Sequence, residues 1–157
     1  MQTPSHRRIM RSILAIETHL RHITSLWADC LGISSMQWMI LSAVWDLDNG
    51  NGARVSEVAD MTKFDRSLIM KQAKRLEVAR MLRSCNETTS AFLFLTAGMR
   101  ERLGAIEIAR LEAQAEIFAD LDDVGIEHLK NGLAALESRA LVVIRRLATA
   151  NASTVPE

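Results

Sequence analysis

The chain has 157 residues, of which 48% are hydrophobic, and its 19 Lys and Arg balance 19 Asp and Glu, a composition that suits one domain with a substantial core. Three Trp, four Phe and no Tyr make that core aliphatic and methionine-rich. No apolar run is long enough to span a bilayer, the start MQTPSHRRIM lacks the apolar stretch of a signal peptide, and two cysteines are too few for a disulfide framework, so a cytoplasmic protein with no membrane partner is expected.

Ile9, Ile13, Ile16, Leu20, Ile23 and Trp27 recur at intervals of three and four, which predicts an amphipathic helix over residues 5–31, stopped by Gly32. Ser34 with Gln37 three residues on is a capping-box start for a strongly apolar second helix that runs to about Leu47. DNGNG is a turn cluster. A short helix, VSEVADM, and a tight turn through Thr62 to Phe64 come next. Asp65 is placed to cap a helix running to about Arg80, with Leu68, Ile69, Ala73 and Leu76 inward and Met70 at the margin. MLRSC and AFLFLT then read as two short strands around the polar turn NETTS. Thr96 caps a helix through Leu103, Ile106, Leu111 and Ile117 to about Leu121. Asp122 and Asp123 introduce a last helix through Leu129, Leu133, Leu136, Leu141, Ile144 and Leu147, and the tail ATANASTVPE is expected to fray.

Two short helices around a tight turn form a helix-turn-helix, and a hairpin after them forms the wing of a winged helix. The expected fold is therefore mainly α with a small β-hairpin. A DNA-binding lobe at about 34–96 lies between dimerisation arms at about 1–32 and 97–150, all within one regulator domain, 1–157. The first and last helices are too apolar to stay uncovered on so small a core, and a second copy of the chain is the simplest cover. The zero net charge conceals a segregation. Eight cations (Arg54, Lys63, Arg66, Lys71, Lys74, Arg75, Arg80 and Arg83) face four acids between Arg54 and Arg83, whereas eight acids face only Arg102 and Arg110 between Glu101 and Glu127. A basic centre placed on the second helix of the pair, the one that enters a major groove, has phosphate as its natural counter-charge.

ISSMQWMIL, VSEVADMTKFDRSLIMKQAKRLE and the LT at 95 and 96 resemble the multiple-antibiotic-resistance regulator (MarR) family over about residues 8–147. The resemblance implies a homodimer paired through its terminal helices, bound to pseudopalindromic double-stranded DNA, most often as a repressor released by a small aromatic ligand. Three departures stand out: Arg80 occupies a position where the family usually has Gly, Met70 one where it often has Thr, and the hairpin is shorter and lacks the family's Asp-x-Arg element.

Arg66, Ser67 and Lys71 lie near the N-terminal half of the recognition helix, where donors match guanine acceptors, and Met70 sits among them. Lys63, Lys74 and Arg75 fit phosphate contacts, which position without specifying; for Arg75 an internal acid is the alternative partner. Arg83, at the base of the hairpin, completes the DNA-binding set. For the effector, the resemblance points to Trp38 with Met39 beside it. Arg8 and Arg11 are candidate carboxylate clamps and His22 a hydrogen-bonding partner, against their plain readings as surface charge and core. His19 and His22 share a helical face, yet no Cys or carboxylate cluster accompanies them, so no metal and no cofactor is expected. Cys30 sits in an apolar setting, while Cys85 has Arg83 nearby and is the better redox sensor. With no phosphate-cradling glycine loop and no nucleophile elbow, an enzyme is not expected. The function anticipated is a DNA-binding repressor released by an aromatic acid or its thioester. The alternatives are a redox-responsive regulator using Cys85 and a helical module that docks an acidic protein.

Overall fold

The computed structural model describes residues 4–86 and 90–152. The order is α1 (Pro4–Leu31), α2 (Ser35–Leu47), β1 (Ala53–Arg54), α3 (Val55–Thr62), α4 (Arg66–Val78), β2 (Leu82–Asn86), β3 (Ala91–Leu95), α5 (Ala97–Ile117) and α6 (Asp123–Ala152). The chain divides into two compact units, Met1–Ile106 and Glu107–Glu157. Mainly helical, with a small antiparallel sheet, it is the winged helix-turn-helix that the sequence predicts.

Local chemistry sets most boundaries in the first unit. Gly32, at φ +67°, closes α1: its N–H reaches Asp29 O at 3.1 Å and the Ile33 N–H reaches Ala28 O at 3.1 Å, a left-handed cap that suits glycine. The Ser34–Gln37 box forms in both directions, at 3.3 and 3.1 Å. The Thr96 hydroxyl accepts the Met99 N–H at 3.2 Å and starts α5. Asp65 holds the N-cap position of α4, but its side chain makes no cap hydrogen bond; its carbonyl accepts the Ile69 N–H at 3.0 Å instead.

The core of this unit gathers around α2, whose Trp38, Ile40, Leu41, Ala43 and Val44 are buried. They pack with Ala28 and Leu31 of α1, Val55 and Val58 of α3, Ile69, Ala73 and Leu76 of α4, Leu82, Leu93 and Leu95 of the sheet, and Met99 and Leu103 of α5. Burying each large aliphatic side chain contributes about 1.5–3 kcal/mol, so this cluster is the main source of the lobe's stability. Trp38 is core, its ring stacked on that of Trp27 with centroids 6.4 Å apart. Gln72 is also buried, a position that hydrophobic periodicity passes over.

The sheet has three strands rather than two. β1 adds to the hairpin in the order β1-β3-β2, all antiparallel, with Ala53 opposite Leu93 and Arg54 opposite Phe92. The hairpin register runs from Leu82 opposite Leu95 to Asn86 opposite Ala91. Asp48 shapes the approach to β1. Its Oδ1 accepts the N–H groups of Gly50 (2.8 Å) and Gly52 (3.0 Å), and its Oδ2 meets Arg100 at 2.5 Å. Burial pushes the Asp48 carboxyl up, but the hydrogen bond from Arg100, the two glycine amides and the guanidinium charge outweigh it and hold the group below the ordinary carboxylate range.

The second unit consists of the distal part of α5 and α6. α5 stops at Ile117, short of the expected Leu121, and a turn leads to Asp122, whose Oδ1 accepts the Gly125 N–H at 2.8 Å and starts α6. The apolar stripe of α6 is exposed in the single chain: Leu129, Leu133, Leu136, Leu141, Ile144 and Leu147 are each two-fifths or more accessible. The N-terminal part of α1, with Ile9, Leu14, Ile16 and Leu20, is exposed in the same way. Among the described residues no helix is long and apolar enough to cross a membrane.

Candidate nucleic-acid interface

The recognition helix α4 is held by a stripe at i, i+3, i+4 and i+7: Ile69, Gln72, Ala73 and Leu76 are all buried. That stripe fixes what remains outside. Arg66, Ser67, Lys71, Lys74 and Arg75 are exposed and Met70 is half-buried. At 3.6 residues per turn these positions cover about half the helix circumference, a face wide enough to enter a major groove. Among the described residues neither Arg66 nor Arg75 has an acid partner, so the internal pairing considered for Arg75 is not made.

The turn before α4 carries a further cation. Lys63 caps the C-terminus of α3 in the left-handed region, at φ +59°, with its N–H on Ala59 O at 2.8 Å. Thr62 lies buried beside it and its hydroxyl donates to Val58 O at 2.7 Å. The backbone reversal that separates the two helices therefore presents an exposed lysine at the edge of the α4 face.

At the far end of α4, Arg80 is the other non-glycine residue with positive φ among the described residues, at +57°. The Arg80 N–H reaches Glu77 O and the Met81 N–H reaches Leu76 O, both at 2.9 Å, the pair of bonds that ends a helix in a left-handed cap. This is the departure noted in the sequence: a conformation suited to glycine is occupied by arginine. Glu77 then joins the helix to the wing, its Oε1 accepting both the N–H (2.5 Å) and the hydroxyl (2.7 Å) of Ser84. The single acid on this cationic helix is thus engaged inside the lobe, leaving the outward charge positive.

The wing adds Arg83, exposed on β2 opposite Phe94. Glu87, Thr88 and Thr89, in the polar turn of the hairpin, lie outside the described residues. Cys85 is exposed on β2, and Cys30 is exposed as well rather than packed in the core that its neighbours suggested. The five candidate effector residues do not converge within one chain. Arg8, Arg11 and His22 are exposed along α1, and Met39 is 37% accessible on α2. Trp38 is only 5% accessible beneath its neighbours. Sequence reasoning missed Arg54 as a wing residue, because a two-residue strand leaves no periodic signal; a cation just before an alternating apolar residue pair was the only hint.

No family model matches the chain, and no curated protein is close to it in sequence. Solved structures are close in fold. The regulator AbsC from Streptomyces coelicolor, described as a MarR family transcriptional regulator, is 20% identical with a TM-score of 0.75, covering 89% of this chain and 97% of that one. A MarR/EmrR family regulator from Acinetobacter sp. ADP1 is 16% identical with a TM-score of 0.71, over 88% and 98% of the two chains. MepR from S. aureus, solved as a complex with DNA, is 15% identical with a TM-score of 0.67, over 89% and 99%. At these identities the likeness establishes the fold. The chain shares the fold of these regulators over 88–89% of its length.

Proposed function

We propose that this chain is a homodimeric DNA-binding transcriptional regulator in the cytoplasm, a repressor that a small aromatic acid or its thioester releases. The observation that carries the reading is the outward face of α4, where Arg66, Ser67, Lys71 and Lys74 are exposed and Arg75 finds no acid, opposite a stripe that packs into the core. Arg66, Ser67 and Lys71 read base edges beside Met70, while Lys63, Lys74, Arg75 and Arg83 hold phosphates. The exposed apolar stripes of α1 and α6 support dimerisation, because surfaces of that size on a soluble chain call for a partner. Two copies set two recognition helices on half-sites of a pseudopalindrome, about one helical turn apart.

Release follows from the same symmetry. A ligand that prefers the dimer with its lobes at another spacing lowers DNA affinity by its differential binding to the two states. Arg8, Arg11, His22 and Met39 are each accessible to such a ligand, and a ring bound at Met39 would perturb the fluorescence of its buried neighbour Trp38.

Titration of a random-sequence duplex across a salt series tests the core of the proposal. Log affinity should fall linearly and steeply with log salt, by about 0.9 per phosphate neutralised. A chain that ignores duplex DNA at low salt but binds an acidic protein would replace this reading with that of a helical docking module.

A further inference from the structure

We propose that Arg54 is a second residue, beside Arg83, through which the wing sheet holds a DNA phosphate, supplying a cation toward the hairpin turn, where the hairpin itself has none; this deepens the DNA-binding reading and rests on it. Between Ser84 and Leu95 the sequence contains no Lys or Arg. Anion contact by this sheet nearer the hairpin turn than Arg83 therefore has to come from a residue outside β2 and β3. β1 brings one. Its pairing sets Arg54 opposite Phe92, and Phe92 in turn faces Cys85 across the hairpin, so Arg54, Phe92 and Cys85 form one cross-strand row. Among the described residues only the Asn86–Ala91 row lies nearer the hairpin turn. Arg83, the wing cation evident from sequence, stands opposite Phe94, two residues further from that turn.

Strand alternation assigns the faces. Ala53 and Leu93 are buried, which turns Arg54 and Phe92 to the opposite, outer side, where Arg54 is exposed. There the guanidinium lies over the Phe92 ring, 5.5 Å from its centroid. A guanidinium stacked on a ring keeps its donor edges free, since the π face takes none of the in-plane N–H groups, and its rotamers are restricted before any ligand arrives. The nearby acid does not quench it: Glu57 accepts the Arg54 backbone N–H at 3.2 Å, and among the described residues no carboxylate pairs with the guanidinium. An exposed, pre-oriented and unpaired fork near the turn of the wing matches a phosphate oxygen pair in both charge and shape.

The test uses the full chain and a random-sequence duplex, read as the slope of log affinity against log salt. Arg54→Gln keeps most of the stem and removes the charge. It should bind several-fold more weakly at low salt, with a slope shallower by about 0.9 for each copy in contact. Arg54→Lys should restore most of the slope. Phe92→Leu should weaken binding while leaving the slope unchanged, because it removes the support and keeps the charge. A folded Arg54→Gln protein with the wild-type slope would overturn the proposal and leave the DNA-binding reading standing. A wild-type chain that binds no duplex would overturn both. Far-ultraviolet circular dichroism of each variant establishes folding independently, and an Arg54→Lys slope as shallow as that of Arg54→Gln would also count against a phosphate contact.

Discussion

Arg80→Gly should make the protein more stable, although it removes a charged side chain and adds no contact. Arg80 sits at φ +57°, locked there by its N–H on Glu77 O, by the Met81 N–H on Leu76 O, and by the Thr96 hydroxyl, which donates to Arg80 O at 2.9 Å. A left-handed conformation costs an L-residue about 1–2 kcal/mol, which glycine avoids. Glycine returns about 0.4–1 kcal/mol of this through the larger entropy of its unfolded chain. The net gain is about 0.5–1 kcal/mol, or a rise of about 1–4 °C in melting temperature for a chain of this length. Arg80→Ala is the necessary reference, because it also deletes the cation from the end of the α4 dipole while keeping the Cβ. Melting should be followed by circular dichroism at one fixed protein concentration, since the proposed dimerisation would make the midpoint concentration-dependent. If the glycine variant melts no higher than the alanine variant, the cap is not strained and the account of the arginine-for-glycine departure fails.

Arg66→Ala should relax sequence preference on a selected operator at a cost of about 1–3 kcal/mol, while Lys74→Ala should weaken selected and random duplex alike and flatten the salt slope; competition titration separates the two. Asp48→Asn should destabilise the lobe by about 1–2 kcal/mol near neutral pH, as expected for loss of charge in a buried hydrogen-bonded group. Because the Asp48 carboxyl is held below its ordinary range when folded, its contribution is present at and above that range and is lost on acidification, so urea midpoints of the two proteins should converge as the pH falls below about 4. Leu141→Glu places a charge on the exposed stripe of α6 and should convert a sedimenting dimer to a monomer with its helix content intact; a variant that stays dimeric would place the interface elsewhere. Benzoates and hydroxycinnamates should quench tryptophan fluorescence and weaken operator binding together, with Trp38→Phe reducing the quench.

The elements legible in the sequence are those whose signals are local. The Ser34–Gln37 box, Gly32 and Thr96 each act within a turn of the helix they bound, and each sits where the pattern places it. The HTH pair and the face of α4 follow from an apolar stripe with a fixed period, which left the same cations outside. The misses depend on partners distant in sequence. β1 is two residues long and is defined by Leu93 and Phe92, some forty positions away. Gln72 is buried because of where its helix packs, which its polarity conceals. Cys30 has apolar neighbours in sequence but is exposed on the helix. Trp38 shows the reverse: its position in a capped apolar helix fits core and ligand contact equally, and the stack on Trp27 is a tertiary fact.

The two-residue length of β1 has a consequence for how the chain behaves at high concentration. β3, AFLFL, is an uncharged apolar run without proline, the kind of segment that pairs with copies of itself when an edge is open. β2 covers one of its edges along its whole length, but β1 covers the other only at Phe92 and Leu93. That short cover is held by the turn before it, through the Asp48 carboxylate on the Gly50 and Gly52 amides and the close approach of Gly52 to the Phe94 ring, where a Cβ would come within 2.5 Å. The DNGNG turn therefore also holds in place the short cover over the second edge of β3. Changes at Asp48 or Gly52 that loosen it should open that edge and increase the protein lost to inclusion bodies during expression.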